Sequence, residues 1–196
     1  TNNNNKTSYL EKRKNGNKYT ATDKNGITWN YTYQDGKATN VYYESGILPE
    51  EVIIPETVDR YQVVNLYNAR GGMKGNIFTN SAYGSNITVK KVTIPDSVTS
   101  IGDYAFDSCR SLINIKIPDG IKSIGNYMFS GCTNLIEAPE LPATTLKDYC
   151  YRSMFEGCIS LTTAPELPAT TLANQCYQYM FSDCTSLTTA PELPAT

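Results

Sequence analysis

The chain reads as an α+β repeat solenoid in which short strands alternate with short helical turns, closed at its N-terminal end by a small antiparallel β cap. Two observations predict the repeats. Phe106, Phe129, Phe155 and Phe181 are spaced 23, 26 and 26 in sequence, and two further columns keep step with them: Cys109, Cys132, Cys158 and Cys184, and Leu112, Leu135, Leu161 and Leu187. After these positions come extended segments ending in proline, such as Val92-Thr93-Ile94-Pro95 and Ile115-Lys116-Ile117-Pro118, replaced further on by Ala-Pro-Glu-Leu-Pro. Such a unit cannot bury its own apolar side, so neighbours must stack and turn each column into continuous core. A third observation predicts the cap: Asn15-Gly16, Asn25-Gly26 and Asp35-Gly36 fall at even intervals between segments rich in Tyr and Thr.

The elements follow in chain order. Thr1 to Asn5 is polar and of low complexity, a tether. Asn-Gly and Asp-Gly pairs suit the positive-φ positions of tight hairpins. Trp29, Tyr31 and Tyr33 alternate with Asn30 and Thr32, as on a strand with one aromatic face packed into the cap's core. Residues 1–50 are therefore expected to form a tether and a β-meander cap, and residues 51–196 the repeat stack. Its first coil is divergent, with a loop insertion at about 65–91 marked by Gly71-Gly72, Gly75 and Gly84-Ser85, and regular coils run from 92. In each regular coil a short strand is expected, as where Ile115 and Ile117 face one way and Lys116 the other. Asp103 to Phe106 and Asn126 to Phe129 have helix-like spacing for one or two turns, with Asp103 and Asn126 placed to cap them.

The run Ile94-Pro95-Asp96-Ser97-Val98-Thr99-Ser100-Ile101-Gly102-Asp103-Tyr104-Ala105-Phe106-Asp107-Ser108-Cys109-Arg110-Ser111-Leu112 resembles the BspA-type leucine-rich repeat of bacterial surface proteins, over about residues 92–137. Val52 to Val64 is similar to that family's divergent first repeat, and Pro139 to Leu146, repeated residue for residue at Pro165 to Leu172, resembles a longer variant. The resemblance implies a leucine-rich repeat stack, secreted or displayed on a bacterial surface, that adheres to host proteins, matrix or other cells.

Composition removes several function classes. The 196 residues carry a net charge of −2, which argues against a protein that binds nucleic acid by neutralising phosphates. The charge is unevenly spread: residues 1–91 are net basic and residues 92–196 carry five Lys/Arg against eleven Asp/Glu. No apolar run approaches the ~18 residues of a membrane-spanning helix. The sequence opens at Thr1 without a charged-then-apolar run, so any targeting signal is expected to have been removed from it. There is no His, no phosphate loop and no nucleophile motif, so an enzyme is not expected, nor a cofactor.

The six cysteines include no Cys-x-x-Cys pair, so zinc has no support. Stacked side chains point in parallel, which favours free, buried thiols over disulfides and leaves Cys150 with Cys176 as the pair open to bridging. Glu140, Glu166 and Glu192 share one phase, but without an acidic loop motif they are read as solvated, not as a metal site. Tyr104, Tyr127 and Tyr179 form a column with Ser153 in its third place. Asn30-Tyr31-Thr32 and Asn86-Ile87-Thr88 match the glycosylation pattern by chance.

The expected activity is binding without catalysis, to a protein or glycan ligand on host or neighbouring cells. The outward strand face supplies the candidate contacts: Ile113, Asn114, Lys116, Ile136, Glu137, Thr163 and Thr189. The alternative is a structural spacer, since Thr162-Thr163 and Thr188-Thr189 are identical. The chain stops at Thr196 inside a repeat, so the natural protein is expected to continue or two copies to meet end to end.

Overall fold

The computed structural model describes residues 18–70, 75–79 and 84–194. β1 (Lys18–Thr22), β2 (Thr28–Gln34) and β3 (Lys37–Ser45) form an antiparallel meander. The β2–β3 hairpin turns at Asp35 (φ 48°) and Gly36 (φ 77°), the conformation that a two-residue Asp-Gly loop favours. Asn15-Gly16 lies outside the described residues. Trp29 and Tyr31 are fully buried, and the Trp29 indole Nε1 donates to Asp23 Oδ2 at 2.8 Å. Tyr33, at the end of the same face, is half-exposed.

β3 passes the ladder on to the repeats. It pairs in parallel with β7 (Asn65–Leu66), which pairs with β9 (Ser100–Ile101), which pairs with β11 (Ser123–Ile124). β3 also pairs with β6 (Tyr61–Val63), itself in a hairpin with β5 (Thr57–Val58). A second ladder joins β4 (Glu51–Ile53), β8 (Lys91–Thr93) and β10 (Asn114–Ile115), and a parallel bridge between Glu137 and Thr163 extends its row. The strands alternate as the sequence predicts: Ile115 and Ile117 are buried while Asn114 and Lys116 are exposed.

The short helices are not there. Among the described residues no helix of any kind forms, and the segments around the Phe column are tandem β-turns. Asp107 N donates to Tyr104 O and Cys109 N to Phe106 O, the i to i+3 bonds behind the helix-like spacing. Tyr104 (φ 60°) and Ser108 (φ 55°), however, are left-handed, and such residues stop a helix from propagating. The amides this frees turn toward the next coil: Tyr104 N donates to Asn126 O at 3.0 Å, Phe106 N to Met128 O at 3.0 Å and Ser108 N to Ser130 O at 2.7 Å. The pattern recurs from Tyr127, Phe129 and Gly131 to Arg152, Met154 and Glu156. A left-handed residue costs roughly 1–2 kcal/mol. An inter-coil hydrogen bond returns about 1 kcal/mol, and ring stacking adds to it, as between Tyr104 and Tyr127 with centroids 4.8 Å apart.

The core is built around an aromatic spine. The Phe106–Phe129, Phe129–Phe155 and Phe155–Phe181 rings stack with centroids 5.5, 5.7 and 5.8 Å apart. Phe78 adds a tilted ring 6.0 Å below Phe106, and Trp29 of the meander meets Phe78 edge-on at 6.4 Å.

Inside the 65–91 stretch the described residues keep repeat places. Ile77 N donates to Ala105 O, which puts Ile77-Phe78 beneath Ala105-Phe106. Asn86 bridges in parallel to Cys109, and the buried Val89 precedes Leu112 by the same interval that separates Asn86 from Cys109. Residues 71–74 and 80–83 lie outside the described residues.

Candidate binding face

The cysteine column is interior. Cys109, Cys132, Cys158 and Cys184 are buried, and Cys150 and Cys176 are half-buried, all as free thiols. They do more than fill space. Cys132 Sγ donates to Phe106 O at 3.1 Å, Cys158 Sγ to Phe129 O at 3.1 Å and Cys184 Sγ to Phe155 O at 3.0 Å. Each thiol thus ties its coil to the one before. Burial pushes the thiols of Cys109, Cys132 and Cys158 far up, and that of Cys184 up to about 11. Protonated thiols donate hydrogen bonds and are poor nucleophiles. In the Asn86 coil an amide replaces the thiol: Asn86 Oδ1 accepts the N–H groups of Thr88 and Val89. Of the Leu column, Leu112, Leu135 and Leu161 are fully buried and Leu187 is partly buried.

The seven strand-face residues are all exposed: Ile113, Asn114, Lys116, Ile136, Glu137, Thr163 and Thr189. The ladder brings them into rows. Ile113 N donates to Lys90 O at 3.0 Å, Ile136 N to Ile113 O at 3.2 Å and Thr162 N to Ile136 O at 3.1 Å. One row therefore reads Lys90, Ile113, Ile136, Thr162. The adjoining row reads Lys91, Asn114, Glu137, Thr163, since Asn114 pairs with Lys91 and Glu137 with Thr163. The rows change character along the stack. At the first coils they are charged, with Lys90 Nζ 2.7 Å from Glu50 Oε1. At the middle coils they present Ile113 and Ile136, 40% and 46% exposed. At the last coils they are threonine. Ser111, Asn134, Ser160 and Ser186 flank the isoleucines along a shallow groove of about 520 Å³.

No other feature gathers chemistry on this face. Glu140, Glu166 and Glu192 are exposed, and among the described residues no group of three or more His, Cys, Asp or Glu converges as metal ligands do. No helix of the described residues is long and apolar enough to cross a membrane.

Sequence reasoning missed the places taken by Phe78, Asn86 and Val89. A signal existed: counting back from Cys109 and Leu112 by the interval between Phe106 and Phe129 lands on Asn86 and Val89. It was masked by the longer segment between Phe78 and Asn86, and by an amide standing where a thiol was expected.

The comparisons with known proteins agree with this architecture. A leucine-rich repeat protein from Eubacterium ventriosum superposes with a TM-score of 0.59 at 24% identity, over 86% of this chain and 38% of the other. One from Bacteroides ovatus gives 0.53 at 27% identity, over 82% and 44%. A leucine-rich cell surface protein from Faecalibacterium prausnitzii gives 0.51 at 22% identity, over 87% and 53%. The chain thus spans from about two fifths to about half the length of these structures. No curated protein matches it. The model of the BspA-type leucine-rich repeat region matches residues 76–191 in six copies, beginning beside the Phe78 that the spine places in register: the chain belongs to the BspA-type leucine-rich repeat family.

Proposed function

We propose that the chain is a non-catalytic protein-binding module, displayed outside a bacterial cell, whose parallel-paired coils form one continuous solenoid that presents the outward strand face to its partner. The observation that carries this reading is the pair Ile113 and Ile136. They are adjacent, half-exposed isoleucines on a hydrogen-bonded ladder, at positions where neighbouring coils place Lys90 or Thr162. Apolar side chains held out by a rigid frame and rimmed by polar groups mark contact surfaces. Asn114, Lys116 and Glu137 supply the polar rim, with Thr163 and Thr189 continuing it. Display at the surface is supported by the family and by the Faecalibacterium structure, itself described as a cell surface protein. Absence of catalysis is supported by a sequence without His and by thiols that burial holds protonated. The meander of residues 18–45 is read as the cap of the stack, with the repeats beginning near residue 51.

The experiment is a binding screen of the immobilised chain against purified extracellular-matrix proteins, then glycans, at physiological salt. A saturable ligand should be lost in Ile113→Asp and Ile136→Asp, which leave stability within about 0.5 kcal/mol because both sites are on the surface. A ligand that binds these variants unchanged refutes the face. Absence of any ligand favours a spacer, the reading that the identical Thr162-Thr163 and Thr188-Thr189 pairs support.

A further inference from the structure

On a strand face that contacts a protein partner, as proposed above, the groove itself restricts the partner's shape. Its floor is a row of small polar residues, Ser111, Asn134, Ser160 and Ser186, one per coil. One lip carries Ile113 and Ile136 on adjacent coils. The other side carries Ile87 and Ile159, 72% and 47% exposed, each directly before the small-residue row at Thr88 and Ser160. The groove therefore runs along the stack, across the coils. Successive coils step by about 4.8 Å where strands pair, and by 5.5 to 5.8 Å along the Phe spine. An α-helix advances about 5.4 Å per turn, so a helix laid along the groove turns one residue of its stripe toward each coil. An extended strand shows the same face every ~6.7 Å and loses step within two or three coils. A polyproline helix repeats every ~9.3 Å, once per two coils, and cannot serve Ile113 and Ile136 in turn.

We propose that the groove receives one amphipathic α-helix of a partner protein, lying parallel to the stack axis with its apolar stripe between the lips. Four coils require about four turns, roughly fourteen to sixteen residues. Ile113 and Ile136 then meet stripe residues one turn apart, at i and i+3 or i+4. The small floor residues let the helix settle between the lips. Charge selects its flanks. Glu50 neutralises Lys90, and Glu51 lies across the ladder from Lys91. Arg110 and Glu137 remain, both exposed, with side chains that enter no hydrogen bond or ion pair among the described residues. Arg110 stands beside the floor, next to Ser111, and Glu137 lies beyond the isoleucine lip, next to Ile136. The groove thus offers a cation on one side and an anion on the other. The complementary helix carries acidic residues along one flank of its stripe and basic residues along the other, the arrangement that sets direction in paired helices.

The test is an amide NMR titration of the whole chain with alanine-based peptides of about 18 residues, long enough to hold a helix in water. The first has leucine at i, i+4, i+7 and i+11, with glutamate along one flank of that stripe and lysine along the other. A second has the same composition with the leucines dispersed. A third and a fourth carry only glutamate or only lysine on both flanks. The first should give saturable shifts at Ile113, Asn134, Ile136 and Ser160 and bind at least about tenfold tighter than the second. It should also bind several-fold tighter than the third and fourth, by a margin that shrinks with added salt. Ile136→Asp should abolish saturation. In Arg110→Glu both sides of the groove are acidic, so the all-lysine peptide should overtake the first. No saturable shift with the first peptide, equal binding of the dispersed one, or saturation that Ile136→Asp leaves unchanged would overturn the helical partner. A charge preference unmoved by Arg110→Glu would overturn the assignment of its flanks. If a matrix protein is lost in Ile113→Asp and Ile136→Asp while no helical peptide binds, the protein-binding face stands and the helix falls. If it binds both variants unchanged, the face itself fails.

Discussion

Cys132 accounts for most of what its column does. Its thiol donates to a carbonyl, Phe106 O, that already accepts the Cys109 N–H, so removing the thiol leaves no orphaned acceptor. Cys132→Ala should therefore lose one weak hydrogen bond and a small buried volume, lowering stability by roughly 1–2 kcal/mol, measurable by urea denaturation. The buried thiols also set the alkaline limit. Cys184 is raised from 9.0 to about 11 by burial, and Tyr177 from 10.0 to about 12. A group held neutral in the folded state contributes fully below its unfolded pKa and loses that contribution as pH climbs to its folded one. The melting temperature should hold steady up to pH 9 and fall between pH 9 and 12, the window set by these two groups. A thiol-reactive dye in native protein should label Cys150 and Cys176, which are half-buried, before the four buried cysteines.

The tandem turn is the element that distinguishes this fold from its sequence pattern. The position two after each Phe is Ser108, Gly131, Gly157 and Asp183, with φ of 55°, 70°, 73° and 59°. The backbone demands a left-handed residue there whichever side chain occupies it. Gly157→Ala should cost about 1–2 kcal/mol through φ alone, since Gly131 is the neighbour of its added Cβ and lies no closer than 3.7 Å. Ser108→Gly should raise stability by roughly 0.5 kcal/mol, the relief of strain less the entropy of a freer unfolded chain. Urea midpoints of the two variants, moving in opposite directions, check both. Gly125 differs, because its added Cβ meets backbone at 2.3 Å, and Gly125→Ala should be the more damaging glycine substitution.

At the scale of the molecule, stability passes from coil to coil. Each repeat bonds to its neighbours, and the spine from Trp29 through Phe78 to Phe181 links the meander to the last coil. Phe129 sits mid-spine and is fully buried. Phe129→Ala should cost roughly 3–5 kcal/mol. Because coils touch only neighbours, hydrogen exchange should show protection lost first in the coils of Phe106, Phe129 and Phe155, while β1–β3 stay protected. Uniform loss across the chain would mean that the spine unfolds as a single unit.

Sequence alone reveals the repeat, its period, the Phe, Cys and Leu columns that line the core, and the alternation of Ile115 and Ile117 about Lys116. Each of these is a local pattern that stacking turns into core, so counting residues is enough to find it. It also identified the hairpin at Asp35-Gly36, because that dipeptide prefers the φ values the turn needs. The tertiary structure alone decided that the Tyr104 and Tyr127 segments are tandem turns. Their i to i+3 bonds are local and mimic a helix, whereas the bonds that hold tyrosines left-handed come from the next coil. It alone put Phe78 on the spine and Asn86 in a cysteine's place, since register across an irregular stretch is set by pairing with Ala105 and Cys109.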